Sequence, residues 1–260
     1  MKLNLYTNLL STMIITIGAS EVAACIGLNP YKSSDEVFTT LLSKHRPDKK
    51  IVTKEAEAEA IIAKSAIGSS VLSSIKETAG RVAPAQLQTS VKEGFDKMDK
   101  EFTQAEKKKV KAFIQSKANT IQGTHFEKGT AQSVMESKDC THLIEDHTLY
   151  RHTLVECDGY TFQLVGKIDR LNVEEDGSKT LIEIKNRVNR LFYKVKDYEN
   201  IQVQCYLQLL DLERAKLIEH YKKEDKLHTM VIDRDRDMWA SVIRPKLVEF
   251  CHTLYTALVE

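Results

Sequence analysis

Along the second half of the chain, apolar and polar positions either alternate or gather in short apolar blocks punctuated by turn residues. Residues 149–157 (L-Y-R-H-T-L-V-E-C) and 160–169 (Y-T-F-Q-L-V-G-K-I-D) read as two strands joined by a tight turn at Asp158-Gly159. A second hairpin follows. Its first arm lies in V-G-K-I-D-R-L-N-V from Val165, its turn spans Glu174 to Lys179 with Asp176-Gly177 at the tip, and its second arm is K-T-L-I-E-I-K, 179–185. The period then changes. Ile201, Cys205, Leu209 and Leu212, widened by Val203, Leu207 and Leu210, form an apolar stripe that predicts a helix over 200–220. A strand at 227–233 and a helix at 236–258 complete the order. The series predicts a mixed central sheet flanked by helices, α/β (α+β) in class.

The first half is helical in pattern. Residues 19–27 and 34–45 read as short helices separated by the turn N-P-Y-K at 29–32, with Ser33-Ser34-Asp35-Glu36 as N-cap chemistry for the second. From about 54 to 120 the composition shifts to Ala, Lys, Glu, Gln and Ser. E-A-E-A-E-A-I-I-A-K is a strong helix former, and T-Q-A-E at 103–106 is a capping box. Gly80 and Pro84 break this stretch, which predicts a loop over 80–94. The expectation is one domain over 1–260, mostly helical over 1–120, with the core at 121–260 and no internal repeat. The first twenty residues faintly imitate a signal peptide, but their apolar run is short and interrupted, and too brief to span a membrane. They read as part of the domain.

Candidate chemistry concentrates at the second hairpin. Asp169 lies 14 positions before Glu183, and Lys185 two beyond it. Alternation along a strand points Glu183 and Lys185 one way, and Ile182 and Ile184 the other. Folding the hairpin brings Asp169 beside Glu183, placing two carboxylates and an ammonium at one end of a small sheet. Hard oxygen ligands of that kind suit Mg²⁺. An E-x-K alone is most often a same-face pair on a half-exposed strand, so the neighbours decide. Gln202 and Tyr206 share one edge of the following helix, and Gln204 and Gln208 another. Packed beside the E-x-K strand, that helix would aim glutamines at its active end. Upstream, I-Q-G-T-H-F-E-K-G (121–129) carries a helical G-x-x-x-E, Gly123 and Glu127, supplying a third carboxylate. An isolated Glu is otherwise a solvent-facing one.

Charge and cysteine content narrow the classes. With 260 residues, a net charge of +1, 42% hydrophobic and 29% charged residues, the chain reads as a globular protein and not a general nucleic-acid coater. A local basic run does exist: Lys185, Arg187, Arg190, Lys194 and Lys196, with no acid between 185 and 196. Its place after the E-x-K strand suggests phosphate contacts. Five scattered cysteines without C-x-x-C predict thiols in a reducing compartment, cytoplasm or nucleus. Cys140, His142, His147 and His152 match no common zinc spacing.

Taken in order, these elements resemble the PD-(D/E)xK nuclease superfamily, which has a restriction-endonuclease-like core. Within it they look most like the lambda exonuclease and YqaJ viral-recombinase branch. The run Gly18–Ser33 matches that branch's serine motif, Gly123 and Glu127 its G-x-x-x-E helix, and Asp169 the carboxylate of its first core strand. Glu183 and Lys185 match its E-x-K, Gln202 and Gln204 its Q-x-Q helix, and Val231–Ala240 a strand-to-helix transition familiar there. The scattered cysteines argue against the iron–sulfur nucleases of CRISPR adaptation, which share this core.

The resemblance implies roles. Asp169 and Glu183, the backbone carbonyl of Ile184 and, at a second ion or a bound water, Glu127 would hold Mg²⁺ or Mn²⁺. Lys185 and Gln204 would complete the catalytic set, and Ser20 and Gln202 would contact DNA, to which the basic run adds Arg187 and Arg190 as DNA contacts. It also implies 5′-to-3′ resection of linear duplex ends, a ring-shaped homotrimer, a single-strand annealing partner, no membrane association, and a virus or mobile element as the setting. One departure stands out. The branch's N-terminal arginine, which helps hold a 5′-phosphate, has no counterpart, since no Arg or Lys lies between Lys2 and Lys32. An endonuclease or single-strand nuclease on the same core, or an inactive DNA-binding protein, are the alternatives.

Overall fold

The structure, a computed structural model, describes residues 12–136, 140 and 142–260; the signal-like residues 1–11 lie outside them. Strand β1 (Met13–Gly18) alternates, burying Ile15 and Ile17 and leaving Ile14 outside. It leads through a 3₁₀ turn into the short α1 (Val22–Cys25). Helix α2 (Ser34–His45) begins as its sequence predicts, with Ser33 Oγ accepting from the Glu36 N–H at 3.3 Å. Helices α3 (Lys54–Lys64), α4 (Gly68–Ala79) and α5 (Pro84–Met98) follow, then the 33-residue α6 (Gln104–Glu136). The capping box is present: Glu106 Oε2 accepts from the Thr103 N–H at 3.0 Å, and Thr103 Oγ1 from the Glu106 N–H at 3.3 Å.

The loop expected over 80–94 is a correction. Only residues 80–83 interrupt the helices, and Pro84 opens α5, where its missing N–H costs nothing. Leu87, Val91 and Met98 then face inward at helical spacing. Helices α3 to α5 and the N-terminal half of α6 share their own apolar cluster, which includes Ile62, Ile75, Leu87 and Ile114.

The remaining strands are β2 (Leu143–Glu145), β3 (Tyr150–Cys157), β4 (Tyr160–Gly166), β5 (Arg170–Val173), β6 (Lys179–Arg187), β7 (Arg214–Tyr221) and β8 (Lys226–Asp233). Both expected hairpins form, with Gly159 (φ +74°) and Gly177 (φ +81°) supplying the left-handed turn residues. The strands divide into a three-stranded sheet, β1-β4-β3, and a five-stranded sheet, β2-β5-β6-β7-β8. The chain passes from one to the other through residues 167–169, between β4 and β5. Central β6 pairs antiparallel with β5 (Ile182 opposite Arg170) and parallel with β7 (Glu183 opposite Leu217).

A second correction concerns the helix expected over 200–220. Helix α7 (Asp197–Leu210) stops at Asp211, which takes the left-handed conformation (φ +54°), and residues 214–221 form β7. The apolar residues of β7, Ala215, Leu217, Ile218 and Tyr221, are mixed with Arg214, Lys216, Glu219 and His220 in no strict alternation, so the segment did not stand apart from the helical stripe before it. After β8, a short α8 (Arg236–Met238) runs through a π turn (Trp239–Ile243) into α9 (Arg244–Val259).

Helix α7 packs on the face of the five-stranded sheet that Leu181 and Leu217 share, within the main core that also holds β1, β4, α2 and α9. The opposite face, with Ile182, Ile184 and Ile218, is covered by Ala131 and Val134 of α6. Among the described residues no helix is long and apolar enough to cross a membrane, and the cysteines form no disulfide.

Candidate active site

The end of β6 gathers the polar groups that the hairpin was expected to gather. Asp169, the last residue before β5, accepts from the Ile184 N–H on Oδ2 at 2.7 Å, so the strand register clamps this carboxylate over the backbone of β6. The N–H and C=O of a strand residue leave toward the same neighbour, so the Ile184 carbonyl faces the same edge. Glu183 is 2% exposed. Its Oε1 accepts from Lys185 Nζ at 2.7 Å and from Gln202 Nε2 at 3.0 Å. Gln202 Oε1 in turn accepts from Lys185 Nζ at 3.2 Å, so one amide ties ammonium and carboxylate together.

Charge at the site is unbalanced. Burial first, then the charge of Glu183, pushes the Asp169 carboxyl well above the usual range; the Ile184 N–H works against this and Glu127 adds to it. Burial disfavours the Lys185 ammonium, but Glu183, by charge and hydrogen bond, together with Asp169 and Glu199 holds its pKa above the ordinary value.

Glu127 reaches the site from the other face of the sheet. Its Oε1 accepts from Arg170 Nη1 at 3.0 Å, and the same nitrogen donates to the Asp169 carbonyl. The rotation of α6 that allows this is fixed one turn on. Buried Thr130 donates to Asn186 Oδ1 at 2.6 Å and lies 2.8 Å from His220 Nδ1, while Asn186 donates to the Gly123 carbonyl at 3.2 Å. Ser20 is exposed in the 3₁₀ turn that leaves β1; Gly18, at the end of that strand, pairs with Val165, four residues before Asp169.

The donor set fits a hard divalent cation. Glu183 Oε2 is buried and has no hydrogen-bond partner among the described residues, the feature a cation would satisfy. No three His, Cys, Asp or Glu side chains gather among the described residues to enclose a metal alone. A cation held by Asp169 and Glu183 would complete its shell with backbone oxygen, water or phosphate, as Mg²⁺ does. Residues 49–244 match the family model of the PD-(D/E)XK nuclease superfamily.

The chain belongs to the PD-(D/E)xK nuclease superfamily.

The matched stretch includes Asp169, Glu183 and Lys185. Among curated proteins none matches. The solved structures similar at low identity include these three. One is titled SSO0001 (16% identical, covering 55% of this chain and 63% of that one, TM-score 0.39). Another is an alkaline exonuclease, LHK-Exo, from Laribacter hongkongensis (18%, covering 60% and 84%, TM-score 0.40). The third is LHK-Exo in complex with dAMP (19%, covering 69% and 88%, TM-score 0.41). The chain thus spans a little under two thirds of the first of these.

Two expected site residues are elsewhere. Gln204 is buried away from the carboxylates: its Nε2 donates to the Asp233 carbonyl at 3.0 Å and its Oε1 accepts from the Asp235 N–H at 2.8 Å. Positions two apart on a helix point some 200° apart, so Gln202 and Gln204 cannot serve one cluster. Arg187 is spent inside the protein. Its Nη1 and Nη2 donate to Glu199 (2.7 and 2.9 Å) and its Nε to Glu219 (2.6 Å), pinning β6, α7 and β7 together. Arg190 is exposed in the loop between β6 and α7.

Sequence reasoning missed Arg170 and Tyr206 as supports of the site. Tyr206 OH accepts from Gln202 Nε2 at 3.1 Å, and its ring lies where a Cβ at Gly166 would come within 2.6 Å of Cε1. That contact gives the glycine of G-x-x-D its reason. Gly166→Ala should displace the ring, loosen Gln202 and cost about 1–3 kcal/mol in urea unfolding, with a larger fractional loss of activity than of folded protein. Arg187→Ala should cost about 3–5 kcal/mol in the same measurement, because two buried carboxylates lose their partner.

Asp169→Asn keeps an acceptor for the Ile184 N–H and removes the like charge. It should therefore raise the melting temperature of the metal-free protein, each ~1 kcal/mol reading as roughly 2–4 °C. A raised carboxyl pKa in the folded state means the fold binds the extra proton. Metal-free wild type should accordingly lose stability as pH climbs from about 4 toward the raised value, and Asp169→Asn should lack that slope.

Proposed function

We propose that the chain is a divalent-cation-dependent deoxyribonuclease that degrades linear double-stranded DNA from its ends. The observation that carries this reading is the buried acidic pair, Asp169 and Glu183, with one orphaned carboxylate oxygen beside an ammonium. A binding module has no use for crowded carboxylates where phosphates must pass.

A bound Mg²⁺ or Mn²⁺ would lower the pKa of the attacking water and offset charge on the phosphate and the leaving oxygen. Asp169, Glu183 and the Ile184 carbonyl would hold it. Glu127, kept in place by Arg170, would orient water or support a second ion. Lys185 would donate to a non-bridging oxygen of the scissile phosphate, where charge builds in the transition state. Gln202 holds both Lys185 and Glu183 and acts as a positioning residue, the role first expected of Gln204. Ser20 would contact the backbone phosphate beside the scissile bond.

The 5′-to-3′ direction, the trimeric ring, the annealing partner and a setting in recombination rest on resemblance to the lambda exonuclease branch, and the reducing compartment on the scattered thiols. The basic gap between Lys2 and Lys32 favours a second reading of the polarity, in which hydrolysis does not depend on a 5′-phosphate.

Linear duplex labelled at both termini, with and without a 5′-phosphate, tests the proposal. Wild type should shorten it progressively in Mg²⁺ and not in chelator. Glu183→Ala and Lys185→Ala should each lose at least about 10²-fold while remaining folded. Undiminished digestion by either variant, or equal cleavage of closed circles, would refute it.

A further inference from the structure

The loop between β6 and α7, residues 188–196, is built with more care than a connection requires. Buried Glu219 on β7 holds it from below: Oε2 accepts from the N–H groups of Phe192 and Tyr193 at 2.9 and 3.0 Å, while Oε1 accepts from Arg187. Phe192 is clasped between Arg187 Cζ and Lys196 Nζ, each 4.4 Å from its ring centroid. This clamp holds Tyr193 in the left-handed region at φ +56°, a conformation costly for a bulky side chain and natural to glycine or asparagine. The residue so held is 64% exposed. Its ring meets that of His228 edge-on at 4.9 Å between centroids.

Tyr193 stands at a cavity of about 580 Å³ that Arg190, Lys194, Lys196 and Lys226 also line. The one acid among the described residues there, Glu224, is paired with Lys226 at 2.7 Å. Lys196 also lines a second cavity, of about 470 Å³, so the two are neighbours. In the second, exposed Tyr31 meets Tyr198 edge-on at 5.6 Å, with Asp197 the only acid among the described residues that line it. The track therefore presents a tyrosine, a set of cations and a second tyrosine. Along the chain it follows the candidate active site: Arg187, which clasps Phe192, lies two residues beyond Lys185, about 7 Å along the strand. Lys196 immediately precedes α7, which carries Gln202.

Cations that track a phosphate backbone, interleaved with aromatic rings that receive unstacked bases, recognise single-stranded nucleic acid. A duplex keeps its bases stacked inside and offers such rings nothing to cover. We propose that this track binds single-stranded DNA, with bases against Tyr193 and Tyr31 and phosphates on Arg190, Lys194 and Lys196. Resting on the nuclease reading, it would take the strand that hydrolysis of its complement leaves unpaired.

Fluorescence anisotropy with a labelled oligo(dT) and with a blunt duplex of equal length, both in chelator, tests the site. Tyr193→Gly removes the ring and suits the backbone, so the loop keeps its fold. It should weaken oligo(dT) binding about tenfold and duplex binding less than about twofold. Tyr193→Phe should bind oligo(dT) like wild type, and Tyr31→Ala should weaken it in the same sense as Tyr193→Gly. Unchanged oligo(dT) binding by Tyr193→Gly, or equal weakening toward both DNAs, would overturn the proposal. Digestion of linear duplex by wild type in Mg²⁺, measured on the same preparation, separates the two readings. Activity without dependence on Tyr193 removes only this track, while Tyr193-dependent binding without activity supports the track and removes the nuclease.

Discussion

A carboxylate hydrogen-bonded to a strand backbone, beside a second carboxylate that protein surrounds, is the constraint on which the rest of this structure turns. Left to themselves, two such carboxylates would move apart, because burial in a poorly polarisable surrounding amplifies like-charge repulsion, and Asp169 holds its proton more tightly for it. The fold denies them that movement. Asp169 immediately precedes β5, and the register that pairs Arg170 with Ile182 sets its Oδ2 on the Ile184 amide. Glu183 is fixed by its place on the central strand and by the shared grip of Lys185 and Gln202. One oxygen is left without a partner. Such a site stores unfavourable electrostatics that a cation relieves, at some expense to the stability of the empty fold.

Two networks on opposite faces of the sheet hold that geometry. On the α6 face, Thr130, Asn186 and His220 set the rotation of the long helix, and Arg170 links Glu127 to the Asp169 carbonyl. At the end of the sheet beyond Lys185, Arg187 joins Glu199 and Glu219, and Glu219 extends the same rigidity to the loop bearing Tyr193. Buried ion pairs of this kind contribute little net stability but define one arrangement of the strands, helix and loop that meet there. The groups argued to meet phosphate, and those argued to meet bases, therefore share one framework.

Much of this was legible in residue order. Both hairpins announce themselves by Asp-Gly turns between apolar arms, and local chemistry there decides the register that brings Asp169 to Glu183. The Thr103 capping box and the Ser33 cap were equally local. What escaped depends on tertiary context. Whether Gln202 or Gln204 faces the site depends on the helix rotation, which the broad apolar stripe leaves undetermined. Arg187 reads as part of a basic run until the buried acids at 199 and 219, far apart in sequence, converge on it. Residues 214–221 carry too little polar alternation to part them from the helix before, and the signal that ends it is one left-handed aspartate. Pro84 and Gly80 suggested a long break because a proline that opens a helix and one that ends it look alike in sequence.

The central claim, that Asp169 and Glu183 form one divalent-cation site, is tested most directly by a crystal of the wild-type protein soaked in Mn²⁺ and measured at the manganese absorption edge. The account predicts an anomalous peak between the two carboxylates, within coordinating distance of Glu183 Oε2 and the Ile184 carbonyl, and no such peak in Glu183→Ala. A peak elsewhere, or a Glu183 side chain turned from Asp169 with Mn²⁺ present, would contradict it.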